Sequence, residues 1–214
     1  MIDPAIPTST RHRVARPAAM PALAIGLFGG FALGVVARSW MRLISEDPHF
    51  TWNGTIFIVV GFTLFGLTQS IVAVVRRRTT QWWKLTGVRT LGAVGMVPLF
   101  VAAGALMFPT VVGCGLASAR SEWPKVVRGL CLVVAVGPVL FVGSDLIGSF
   151  GWSLRTLAGF VMMLAVYATI IWATRFTFAT QDADSPAPPR AKMIISLVAA
   201  LLFLIAFVAG GGIK

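Results

Sequence analysis

Charge is scarce in this sequence. Asp, Glu, Lys and Arg make up 12% of its 214 residues, against about 25% in an ordinary soluble domain. Hydrophobic residues reach 57%. A globule of this size cannot hide that much apolar side chain behind so few polar groups, so a soluble enzyme and a disordered chain are both excluded. The two cysteines, Cys114 and Cys131, lie in hydrophobic runs. That excludes a disulfide scaffold and reads as two small buried apolar side chains. Only two histidines occur, His12 and His49, and both lie outside the apolar runs, which removes intramembrane haem ligation. There is no phosphate-binding Gly-rich loop, HExxH, GxSxG or CxxC, so enzymatic chemistry has no recognisable carrier. An integral membrane protein remains.

What is present is a series of long apolar runs. A helix needs about 20 apolar residues to cross the hydrocarbon core with its backbone groups satisfied. Residues 19–37, 55–75, 129–148, 156–174 and 193–212 meet that rule. The expected fold is all-α: a polytopic transmembrane helix bundle of five to six spans, forming one domain over residues 19–214. Residues 1–18, with Arg11, Arg13 and Arg16, read as a disordered basic tail on the cytoplasmic side. Residues 181–189 read as a polar, Pro-rich linker.

Residues 88–119 do not fit. The stretch is too long for one perpendicular span and too short for two, and Pro98 and Pro109 divide it. It is either one long kinked helix or a re-entrant hairpin. Basic residues weigh on the choice through the positive-inside rule. A single crossing leaves them almost balanced across the membrane. A return gathers Arg120, Lys125, Arg128, Arg175, Arg190 and Lys192 on the side of Arg76 to Arg89, leaving Arg38, Arg42, Arg155 and Lys214 opposite. Both options stay open at this stage. Either way the N-terminus and Arg76 to Arg89 are expected to face the cytoplasm, in a bacterial inner membrane.

Tryptophan follows the same boundaries. Trp40, Trp52, Trp82, Trp83, Trp123 and Trp152 flank the runs and Trp172 ends one, the pattern of an aromatic belt at the headgroups. The net charge of +11 then reads as attraction to anionic lipid headgroups, about 1 kcal/mol per basic residue near the surface. No nucleic acid is needed to explain it.

Three groups of residues could carry function. Gly26, Gly30 and Gly34 recur every four residues, which places them on one helix face that another helix can approach closely. Asp145 is the acid inside a proposed span, and such residues can mark ion or proton paths. Arg155, across a short turn, is its expected ion-pair partner. The loop after the first span carries Arg38, Trp40, Arg42, Glu46, Asp47 and His49, and reads as an interfacial helix continuation followed by a solvated loop stopping at Pro48. No catalytic, cofactor-binding or metal-binding residue is assigned.

The stretch from Ala37 to Ser45 through Trp52-Asn53-Gly54-Thr55, followed by a span and Arg76-Arg77-Arg78, resembles a group of small multi-pass membrane proteins of actinobacteria. The resemblance covers the first two spans and implies no particular activity. The expected function is a non-catalytic accessory or interaction subunit of a membrane complex, packing through the glycine face against a membrane protein partner or a second copy. The alternatives are a small transporter or channel using Asp145 and residues 88–119, and a lipid-modifying enzyme using the Glu46–His49 loop.

Overall fold

The computed structural model describes residues 19–45, 50–103 and 107–180. The expected span 193–212, the basic tail, the 181–189 linker and Glu46, Asp47 and His49 lie outside the described residues. Within them the fold is all-α. Five helical runs are long and apolar enough to cross a membrane: Ala19–Ile44, Trp52–Arg76, Trp82–Val101, Lys125–Phe150 and Leu154–Phe178. The protein is therefore a multi-pass membrane helix bundle.

Helices α1 (Ala19–Ile44) and α2 (Trp52–Arg76) form an antiparallel pair. Chain then runs through α3 (Trp82–Val94), a turn at Gly95 and Met96, α4 (Val97–Ala103) and α5 (Met107–Ala119), before α6 (Lys125–Phe150) and α7 (Leu154–Phe178). Pro98 sits in the first turn of α4, just after the turn at Gly95 and Met96. There its missing N–H would have had no intrahelical acceptor. Pro98 therefore starts a new helix, and residues 82–103 are not one unbroken rod.

The direction of those helices settles the alternative left open by the sequence. Descending along α3 and α4, Gly92 approaches Val72, Gly95 approaches Thr68, and Pro98 approaches Gly61. The segment thus runs antiparallel to α2, away from Arg76. Ascending α5, Thr110 bonds to the Ala135 carbonyl at 2.8 Å, Gly113 approaches Cys131 and Gly115 approaches Phe178. Both Gly92 and Gly115 therefore lie beside the C-terminal turns of α7. The two described limbs, residues 88–103 and 107–119, therefore run in opposite directions and form a hairpin that returns to the end it left, with Phe100 and Phe108 in edge-to-face contact at 5.1 Å.

The hairpin supplies part of the core. Leu99 and Met107, from its two limbs, pack in one buried cluster with Phe62 and Phe65 of α2 and Met163, Val166 and Ile170 of α7. At the α6–α7 corner, Gly151 adopts a φ of 62°, a region that side chains disfavour. Ser153 then caps α7 by accepting from the Thr156 amide.

Candidate functional site

The bundle has one strongly basic end. Arg76, Arg77, Arg78, Lys84, Arg89, Arg120, Lys125, Arg128 and Arg175 gather there, because α2 and α7 finish, α3 and α6 begin, and the hairpin returns at that level. Arg38, Arg42 and Arg155 lie at the opposite end.

Several of these charges are committed to the fold itself. A helix leaves its last carbonyls without intrahelical donors, and its C-terminus attracts cations. Arg89 Nε donates to Thr177 O at 3.0 Å and Arg76 Nη1 to Ala179 O at 3.3 Å, and Arg76 Nη2 also reaches Thr180 O. Together they cap α7. Arg128 Nε does the same for α5 at Ala117 O, 2.9 Å away. At the far end Arg155 caps α1 through Leu43 O at 2.7 Å and Ser45 O at 2.9 Å. Each arginine closes a helix other than its own.

That arrangement corrects the expected Asp145–Arg155 pair. Arg155 is turned toward α1 and stacks on Phe150, 4.2 Å from its centroid. Asp145 sits on the exposed flank of α6, and among the described residues Arg120 with Glu122 is the ion pair, at 3.4 Å. The carbonyls of Leu43 and Ser45, at and just past the end of α1, offer Arg155 a fixed bidentate site that a carboxylate further down α6 does not.

Gly26, Gly30 and Gly34 do form a packing face, and its partner is α2. A Cβ on Gly30 would lie 2.5 Å from Phe62 O, and one on Gly34 would lie 2.9 Å from Val59 Cα. The reciprocal residue, Gly66, was not singled out in the sequence; a Cβ there would meet Gly26 O at 2.2 Å. The face is filled from within the chain and is closed to a partner protein.

The expected helical continuation beyond the first span is present, with one of its residues corrected. Helix α1 continues without a break to Ile44, so Arg38, Trp40 and Arg42 are helical. Trp40 is 5% exposed and packs edge-to-face on Tyr167 at 6.3 Å, so it belongs to the core and not to the aromatic belt. Arg38 Nε donates to Thr55 Oγ1, tying α1 to α2, and Arg42 lies over Phe50. Trp52, Trp83 and Trp152 are exposed at helix ends, as the belt requires. Cys114 and Cys131 are free thiols, partly buried.

Two features of the basic end escaped the sequence reading. Gln69 is buried at the junction of α2, α3 and α7, donating to Gly92 O and accepting from Thr177. Its signal was available: an amide inside an apolar run. Beside it, between α1, α2 and α7, runs a groove of about 340 Å³. Gly29, with open space where a side chain would be, leaves one wall bare, and Arg77 and Arg175 stand among its lining residues with Trp172 and Phe176. Neither Asp145 nor residues 88–119 line it. Helix polarity could have placed Arg77 and Arg175 at one end, but not the gap between α1 and α7.

No protein-family model matches this chain, and neither a curated protein nor a solved structure proved similar to it.

Proposed function

We propose that the protein is a non-catalytic subunit of a membrane assembly that docks a partner helix on the outward flank of α6. The observation that carries this reading is Asp145, an exposed carboxylate on an apolar membrane helix. It shares its flank with Leu130, Val134 and Phe141, all exposed, and with Gly137 and Gly148, which have open space where a side chain would be. These residues recur at spacings of three and four, the repeat of a helix contact surface. A charge at the middle of a membrane helix costs about 2.5–3.5 kcal/mol; Asp145, near the end of α6, carries part of that cost, which a donor on a partner helix would offset. The glycine face of α1 is already filled, which leaves α6 as the docking helix of this reading.

The cluster of basic residues supports an orientation with that end in the cytoplasm of a bacterial inner membrane, where anionic lipid attracts it. Photo-crosslinking from position 141 in intact membranes tests the docking. An adduct is expected from position 141, not from position 28 on α1, and Asp145→Asn should weaken it. An adduct of twice the chain mass identifies a second copy as the partner. A chain that stays monomeric and gives no adduct from position 141 overturns the reading.

A further inference from the structure

The arginines at the basic end fall into two kinds. Arg76, Arg89 and Arg128 point their N–H groups into backbone carbonyls. Arg77 and Arg175 do not. Their contacts are with rings: Arg77 Cζ lies 5.6 Å from the Phe176 centroid, and Arg175 lies 4.7 Å from the same ring and 4.5 Å from Trp172. A guanidinium stacked on an aromatic face is held in place while its N–H edge stays free for a bidentate acceptor. Two such edges flank one phenyl ring, with no carboxylate paired to either among the described residues.

Below them lies the groove. Its wall is apolar along α1 and α7, and its volume of about 340 Å³ has room for about ten groups the size of a water or a methylene. An apolar trough of acyl-chain size, topped at a membrane surface by two guanidinium groups that hold no carboxylate among the described residues, has the chemistry of one ligand class. We infer that the groove between α1, α2 and α7 is a binding site for an anionic phospholipid, with its phosphate held by Arg77 and Arg175 and one acyl chain lying along Gly29. Charge complementarity at the mouth selects the headgroup. Apolar contact selects little, since hydrocarbon surrounds the protein everywhere. The site is independent of what α6 engages.

Native mass spectrometry of the full chain, released from detergent with phosphatidylglycerol or phosphatidylcholine of identical chains, tests this. One phosphatidylglycerol should be retained, at least about tenfold over phosphatidylcholine, a difference of about 1.4 kcal/mol. Arg77→Gln with Arg175→Gln should abolish the preference. Arg78→Gln with Lys84→Gln, which removes the same charge from the same end without touching the groove, should preserve it. Gly29→Leu should also abolish retention: open space surrounds its Cβ position, so the new side chain fills the groove without straining the fold, as an unchanged melting temperature would confirm. Equal retention of the two lipids, equal loss in both double variants, or retention unaffected by Gly29→Leu each overturns the proposal. So does a photo-crosslink from position 29 to residues 193–212, which would hand the groove to the chain's own C-terminal segment.

Discussion

Thr177 donates its hydroxyl hydrogen to Gln69 Oε1 at 2.7 Å, joining α7 to α2 across 108 residues of sequence. The same amide donates through Nε2 to Gly92 O at 3.1 Å, so one side chain fastens three helices. Gly92 permits this approach, because a Cβ there would lie 2.5 Å from Thr177 Oγ1. In a bilayer, where helices gain little from apolar contact alone, such hydrogen bonds and close approaches decide which helices pair.

Gln69→Leu removes both bonds and leaves the Gly92 carbonyl without that donor. Interhelical hydrogen bonds in membranes are worth about 0.6–1.7 kcal/mol each, so a loss of about 1–2 kcal/mol is expected on unfolding in detergent. Thr177→Val should cost about half as much. The double variant should lose no more than Gln69→Leu alone, and strict additivity would show that the two side chains act independently.

The α1–α2 contact predicts a sharp contrast among glycines. Gly30→Ala and Gly66→Ala place a methyl group against the backbone of the facing helix, where neither side can yield by rotating a side chain. Each should lower stability by about 1–3 kcal/mol. Gly29→Ala and Gly137→Ala meet open space and should melt with the parent protein. Thermal unfolding followed by circular dichroism separates the two pairs.

The hairpin makes a topological prediction. In a chain with Cys114 and Cys131 replaced, single cysteines at positions 78 and 122 should label from the same side of a sealed membrane. A cysteine at position 152 should label from the other. Position 152 is suitable because Trp152 is 90% exposed at the α6–α7 corner. Labelling of 122 together with 152 would contradict the return of residues 88–119.

Arg155 closes α1 from 112 residues away. Arg155→Gln should cost about 1 kcal/mol, modest because the side chain is exposed and water can replace its bonds. Arg155→Lys should recover only part, since an ammonium lacks the planar fork that spans Leu43 O and Ser45 O. Arg78→Gln serves as the neutral control. Chemical denaturation of the purified chain gives the three values.

Much of this architecture was legible in the order of the residues. Apolar runs long enough to span a bilayer, ended by Arg76 to Arg78 or by Trp52 and Trp152, mark helices because lipid tolerates no unsatisfied backbone. The glycine face of α1 was equally visible, as it depends on spacing alone. What it packs against was not. Gly66 is a single glycine with no repeat to advertise it, and its role exists only once α2 lies antiparallel to α1.

The charges divide in the same way. That basic residues outnumber acidic ones, and that a returning hairpin would collect them at one end, follows from the sequence. The role of each arginine does not. Proximity along the chain predicts that Arg155 meets Asp145, yet it donates to Leu43 O in the last turn of α1 and to Ser45 O just past it, because a helix terminus from elsewhere in the sequence offers better geometry. Trp40 flanks a hydrophobic run like the belt residues, and lies in the core because Tyr167 in the middle of α7 packs against it. Sequence alone determined the solvent this protein lives in and most of the helices long enough to cross it, since those depend on local composition and period. Tertiary structure decided the hairpin's return, the partner of each guanidinium and the gap between α1 and α7, since those depend on where distant helix ends meet.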